Sequence, residues 1–375
     1  MPLAVNIQEL IDEITDINTA RKTEISMSVY IDNKAPADLV AHVRSAFAST
    51  SPSVRMTIGY LDNSFAPHSG DDMAVVVAGS SRSIGAAAAA IRAVSVPVVV
   101  VTTQPTTVGR LAEAGGHAIP EGDLVAPCED DESAEPFVLT DELATELDER
   151  LGRWIVTVCH EKRLAFSIAF PFVRRPLALD AVQATSLQNA GIGLVPFIPG
   201  ADLPIITLNQ IKMVLQIAAA YGQEMNKERL TEMAAVVGGA YLCRTLAREL
   251  VEFVPVLGFI IRTGIAYGGT AAIGHAVIEY FEGGKDVAGV ANVAAKATQT
   301  ATGLISTVRE NPEEVVASVS DKAKAAVPLV RDTVAKYVPV ARELVSEYAP
   351  KVGAMASEYA PKIRQVASAV VGRSS

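Results

Sequence analysis

The stretch MAVVVAGSSRSIGAAAAAIRAVSVPVVVVTT, residues 73–103, decides the fold of the first third of the chain. It opens with an apolar run (73–79), passes through an alanine-rich segment (83–94) and closes on VPVVVVTT (96–103). Both runs are continuous and rich in β-branched residues rather than alternating, which is how strands covered on two faces read. A strand, a helix and a strand in that order predict a βαβ unit with parallel strands. Working outward, ISMSVYID (25–32) and SVRMTIGYLD (53–62) read as strands. PADLVAHVRSAFA (36–48) and TTVGRLAEAG (106–115) read as helices. Residues 23–127 therefore predict a small α/β domain, Rossmann-like, with a mostly parallel sheet.

On the N-terminal side, Ile7, Leu10, Ile11, Ile14 and Ile17 recur at helical spacing. They predict a short amphipathic helix within residues 1–22 that caps a domain or pairs with another helix. The opening MPLAVNIQELIDEITDI is acidic, without a basic region or cleavage motif, so a secretory signal is not expected. On the other side, PEGDLVAPCEDDESAEPF (120–137) has the Pro, Gly and acid content of a linker, and 128–139 form its acidic part. Asp123, Glu129, Asp130, Asp131 and Glu132 lack the spacing of a metal loop, so a solvated hinge is expected and no metal site. Thr140 then predicts an N-cap, followed by Asp141 and Glu142 in the first turn. From there to Phe281 the pattern predicts an all-α domain over residues 140–283.

Half of the 375 residues are hydrophobic but only 5% are aromatic, so Ala, Val and Ile carry the apolarity and close helix packing is favoured. The net charge of −10 removes the basic footprint that nucleic-acid binding needs. From Lys285 to Ser375 there are 12 Lys+Arg and 9 Asp+Glu, or +3, which leaves −13 on the remainder. Cys128, Cys159 and Cys243 are too few and too scattered for a disulfide framework or a CxxC metal site, and a reducing compartment follows as the default.

The central region is the most apolar. Residues 181–201 hold no charge, residues 203–211 run apolar to Lys212, and residues 263–278 carry only His275. None of these runs is a clean span of about 20 apolar residues, because Gln183, Gln188, Asn189, two prolines and Arg262 interrupt them. A tight helical bundle and a set of helical hairpins in or on a bilayer both fit. Gly264, Gly268, Gly269, Gly274 and the pair Gly238-Gly239 offer smooth helix surface. Arg244, Arg248 and Glu252 share one helix face, which predicts an exposed charged stripe.

The segments SLQNAGIGLVPFIPGADLPIITLNQIKMVLQIAAAYG (186–222) and AAVVGGAYLCRTLARELVEFVPVLGFIIRTGIAYGGTAAIGHAVIEYF (234–281) resemble the core of a bacterial family, the YcjF-like GTPase-associated domain of unknown function. The PGAD turn (199–202), TLNQIKM (207–213) and the glycine-rich closing helix carry the likeness, which extends with the approach helices over about residues 137–283. The resemblance implies a helical module associated with the inner membrane, often fused to or encoded near Era-like GTPases, so a small GTPase is an expected partner. It implies no catalytic residues. The turn can also be read directly: Pro199 and Gly200 break the helix, Asp202 can cap the next, and Pro204 sits near its start.

That likeness prompts a search for nucleotide machinery. No GxxxxGK[ST] loop is present, and Thr103-Gln104-Pro105-Thr106 stands where a base-reading NKxD would follow a buried strand. GSSRSIG (79–85) follows a strand and opens a helix, so Gly79, Ser80, Ser81 and Gly85 are the candidate nucleotide loop, although Arg82 and the shortage of glycine favour a plain tight turn. His42, His68, His117, His160 and His275 are scattered without metal spacing, and His275 reads as a satisfied packing residue. Cys159 and His160, as neighbours on a helix, diverge too far for a dyad. No catalytic residue and no cofactor is expected.

The last segment repeats. Pro328, Pro339, Pro350 and Pro361 recur every eleven residues, in step with Tyr337, Tyr348 and Tyr359. Eleven residues in three turns keep an apolar stripe nearly straight on a helix. The stripe runs from Val330 through Tyr337, Val345, Tyr348, Met355 and Ile363 to Val370, opposite Arg331, Arg342, Glu343, Lys362 and Arg364. Residues 284–375 thus predict a long amphipathic helical tail, kinked at its prolines, which resembles apolipoprotein-like repeats in period and punctuation. The expectation as a whole is a non-enzymatic, membrane-associated interaction protein on the cytoplasmic side of the inner membrane, meeting lipid, a protein partner or both. A nucleotide-responsive regulator and a soluble helical scaffold are the alternatives.

Overall fold

The computed structural model describes residues 7–128, 138–194, 202–224 and 258–283. The stripe of Arg244, Arg248 and Glu252, the pair Gly238-Gly239, the acids Glu129 to Glu132 and the repeats of 284–375 lie outside the described residues.

After helix α1 (Ile7–Ala20) the chain alternates through β1 (Ile25–Ile31), α2 (Ala37–Ala46), β2 (Val54–Tyr60), β3 (Met73–Val77), α3 (Ile84–Ala93), β4 (Val98–Val101), α4 (Pro105–Ala114) and β5 (Leu124–Val125). The five strands form one sheet in the order β2-β1-β3-β4-β5. Every pairing is parallel. This is the doubly wound order, with its reversal between β1 and β3. Residues 120–137, read as linker, in fact begin with a 3-10 turn (Glu121–Asp123) and contain β5. Two residues are too short to leave a periodic signal.

The register sorts the strand side chains into two cores. Met27, Val29, Ile31, Met73, Val75, Val77, Val99 and Val101 share one face with Leu39 and Val43 of α2 and with Phe47, which ends it. Tyr30, Ala74, Val76, Val98 and Val100 share the other with Ile84, Ala88 and Ile91 of α3 and Val108 of α4. The first face is wider than α2, and the rest of its cover comes from beyond the sheet. Helix α5 (Asp141–Val158) and helix α6 (Arg163–Ala169) put Leu147, Leu151, Trp154, Ile155 and Phe166 into the same core. Phe47 meets Phe170 and Phe172 edge-on at 5.1 and 5.2 Å. Burial of such side chains stabilises by about 1.5–3 kcal/mol each, so this contact fastens the α/β part to the helical part.

Polar contacts follow the same seam. Thr140 caps α5 by accepting from the Leu143 amide. Asp38 of α2 accepts from the Leu139 amide at 2.9 Å. Asp123 accepts from Trp154 Nε1 and from Arg92, both at 3.1 Å, so this acid serves as a tie between α3 and α5.

The helical part adds α7 (Arg174–Leu194), α8 (Asp202–Ala220) and α9 (Gly258–Glu282). Helices α7 and α9 run antiparallel, as Arg175 meets Glu282 at 2.8 Å and Val182 meets Gly274. A Cβ at Gly274 would lie 2.3 Å from a Val182 methyl, so glycine sets that approach. Helix α8 begins at Asp202, and from Ile206 to Ala220 every residue is buried except Lys212 and Gln216. Those two meet Glu9 at 3.6 Å and Glu13 at 2.7 Å on α1. Leu10 and Ile17 of α1 enter the same core, while Ile11, read as part of the stripe, is 44% exposed. The N-terminal helix therefore pairs with α8, some 200 residues away. His275 is exposed rather than packed, because it lies with Glu279 on the outward side of α9 while Ile273, Ala276, Val277 and Ile278 are buried. Among the described residues, no helix is long and apolar enough to cross a membrane.

His42 of α2 and Asp148 of α5 form a 2.8 Å pair across the seam. The hydrogen bond to Asp148 raises the His42 pKa, burial opposes it, and the carboxylate charge adds to the rise. The pair's contribution is therefore complete below the ordinary histidine value and fades as pH climbs through the raised one. His42→Gln is expected to cost about 0.5–1 kcal/mol at pH 5.5, with the loss shrinking by pH 9. Urea unfolding of both proteins at the two pH values measures it.

Candidate functional site

In doubly wound sheets, ligands sit outside the carboxyl ends of the strands at the point of reversal. Here that point is formed by Asp32 after β1, residues 79–83 after β3, and Thr102, Thr103 and Gln104 after β4. Asp32 is 4% exposed. Its carboxylate accepts from the Gly79 amide at 3.0 Å and from the Ser81 hydroxyl at 2.6 Å. The Asp32 carbonyl also accepts from the Ala35 amide at 2.9 Å, folding residues 33–35 across the crevice. A Cβ at Gly79 would stand 2.1 Å from the Lys34 carbonyl oxygen, so backbone lies directly on backbone there.

The candidate nucleotide loop is thus spread over separate tasks. Gly79 and Ser81 bind an internal carboxylate in the position a phosphate would take. Gly85 is inside α3, where a Cβ would come within 2.4 Å of the His117 carbonyl, so it is a packing glycine. Ser80 is exposed. Thr102 accepts from the Gln104 amide, and the buried Thr103 hydroxyl has no protein partner. Asp32 was not singled out from sequence. The available signal was an acid ending a strand otherwise made of buried residues.

Two further polar clusters lie elsewhere. At the amino end of β1, Asp71 (4% exposed side chain) accepts from the hydroxyls of Ser26 and Ser28. His68 Nδ1 lies 3.2 Å from it and Arg55 3.8 Å. Serine, histidine and aspartate meet here, but both hydroxyls donate to the carboxylate and none to the imidazole, so the nucleophile–base pair of a triad is not formed. The cluster instead pins residues 61–72, a loop where a crossover helix would ordinarily lie. Cys159 is buried, and burial followed by the nearby Asp72 carboxylate pushes its thiol up to about 12, away from thiolate chemistry. His160 stands exposed in the turn beyond it.

The second cluster is inside the helical part. Asn189 of α7 donates to Thr270 of α9 at 3.0 Å and accepts from Asn209 of α8 at 2.9 Å. Gln210 donates to Thr270 at 2.8 Å, and the Thr270 hydroxyl donates to the Ala266 carbonyl at 2.7 Å. All four side chains are buried. None titrates, so the network has no acid or base and acts by fixing the register of three helices. Among the described residues, no group of three or more His, Cys, Asp and Glu could hold a metal ion.

No family model matches the chain, and neither a curated protein nor a solved structure does.

Asp32→Ala orphans the Gly79 amide and the Ser81 hydroxyl and is expected to cost about 1–3 kcal/mol. Gly79→Ala forces two stretches of backbone apart and is expected to cost about 3 kcal/mol. Chemical denaturation of both variants checks these values. Thr270→Val removes the hub of the bundle network; a loss of about 2 kcal/mol, with amide exchange accelerating in α7, α8 and α9 together, is the expected result.

Proposed function

We propose that the chain is a non-catalytic adaptor acting at the cytoplasmic face of a bacterial inner membrane. The folded part presents partner-binding surface, and residues 284–375 contact lipid. The observation that favours a binding role over a catalytic one is the occupied crevice: Asp32 is spent on Gly79 and Ser81, and residues 33–35 fill the place where this fold ordinarily takes a ligand. The other polar clusters are likewise consumed in holding elements together. The resemblance of residues 186–222 and 234–281 to the YcjF-like family adds the inner membrane as the place and a small GTPase as the partner.

Attachment at the surface, rather than a crossing, agrees with described helices that are too short or too polar to span. Its physical basis is the apolar stripe through Tyr337, Tyr348 and Tyr359, since an amphipathic helix adsorbs in proportion to the apolar area it buries in the interface. The charge of +3 on this segment adds a weak attraction to anionic lipid.

Flotation of the full chain with phosphatidylcholine–phosphatidylglycerol vesicles tests the proposal. The wild type is expected to float, and the triple change Tyr337→Asp, Tyr348→Asp and Tyr359→Asp to lower the bound fraction about tenfold or more. A wild type left in the soluble fraction would instead support the soluble scaffold.

A further inference from the structure

Among the described residues, the sheet has one long free edge. Strand β2 pairs only with β1 and does so through seven consecutive residues without a bulge. Proteins ordinarily blunt such an edge with lysine, proline, a bulge or a covering element. VRMTIGY holds no lysine, proline or bulge and no described element covers it, and Arg55, Thr57, Ile58 and Tyr60 are exposed among the described residues. Its single charge does not guard the edge, because the Arg55 guanidinium turns across the sheet to Ser26 and Asp71. Of the four large hydrophobic residues exposed among the described residues, two stand on this strand, Ile58 at 38% and Tyr60 at 49%. They lie two positions apart and so on the same face.

We propose that β2 pairs antiparallel with β2 of a second copy of this chain across a two-fold axis at Thr57, joining two five-stranded sheets into one of ten strands. The strand is complementary to itself in that register. Val54 faces Tyr60 of the partner subunit, Met56 faces Ile58 of the partner subunit, Arg55 faces Gly59 of the partner subunit, and Thr57 faces its own counterpart. Aromatic against β-branched and threonine against threonine are favoured cross-strand pairs. The apolar pairs fall on the face that carries Val54 and Met56, which already pack against the core shared with α2. The two Arg55 residues end up four positions apart, about 13 Å, beyond the screening length of roughly 8 Å at physiological salt. No like charges oppose each other.

The same facts select a second copy over a foreign strand and over an open chain of copies. A foreign strand would need a cue beyond backbone pairing, and this edge offers no free charge to supply one. The opposite edge of the sheet is β5, with two residues, too short to receive β2 in a head-to-tail array. Pairing like with like closes at two.

Sedimentation velocity on the full chain between 1 and 100 µM tests the dimer. The expected species has twice the 39.4 kDa chain mass. The double variant Ile58→Lys, Tyr60→Lys alters only exposed side chains; it is expected to keep its circular dichroism and to raise the dimer dissociation constant at least tenfold. Thr57→Cys, with Cys128 and Cys243 changed to Ser, is expected to form an interchain disulfide under mild oxidation, because residues opposite each other in an antiparallel pair have Cα atoms about 4.5–5.5 Å apart. A monomer at 100 µM overturns the proposal. So does a dimer that the lysine pair leaves intact and the cysteine does not cross-link.

Discussion

Both faces of β1, β3 and β4 are apolar, and a parallel sheet of that kind has to be covered on both sides. Helices α3 and α4 close one face. On the other, α2 supplies only part of the cover, and α5 and α6 add Leu147, Leu151, Trp154, Ile155 and Phe166 to the core that holds Val99, Val101 and Val125. The consequence is a single core that crosses from the α/β part into the helical part. Phe47, Phe170 and Phe172 sit at the crossing, and His42, Asp38 and Asp123 tie its rim. The sheet edge, the crevice and the bundle keep their relative places because that one face cannot be left wet.

The crevice satisfies its own loop from within the chain. The reversal between β1 and β3 leaves amides pointing outward beside a helix start, and exposed amides attract an anion. Here the anion is Asp32, supplied by the preceding strand and buried with its partners. An internal carboxylate is part of the chain and cannot dissociate, and the Lys34 carbonyl can rest on Gly79 only because no side chain intervenes. In the bundle, amide and hydroxyl groups close upon one another around Thr270 in a similar way.

Much of the α/β part was legible because its strands are unmixed. VVV and VVVV are short and β-branched, and Thr140 announces α5 through its side-chain chemistry. Four things were not legible, each for a physical reason. Strand β5 is two residues long and exists only because β4 offers it a ladder. The partner of α1 is set by Glu9 and Glu13 matching Lys212 and Gln216, a pairing between segments that share no local pattern. Asp32 looks like any strand-ending acid until the reversal of strand order brings Gly79 and Ser81 to it. His275 was misread because apolar neighbours along the sequence do not say which side of α9 faces outward.

The embrace of α8 by α1 has a consequence for synthesis. Arg21 donates to the carbonyls of Gly222 and Gln223, 201 and 202 residues further along. At ribosomal rates of about 5–20 residues per second, the first helix waits roughly 10–40 s for its neighbour to be made. Until then, its Leu10 and Ile17 lack the α8 side chains that bury them, while β1 to β4 already have all their own partners within reach. The nascent chain thus assembles its middle before its beginning, and α1 is the last piece of the early sequence to find its place.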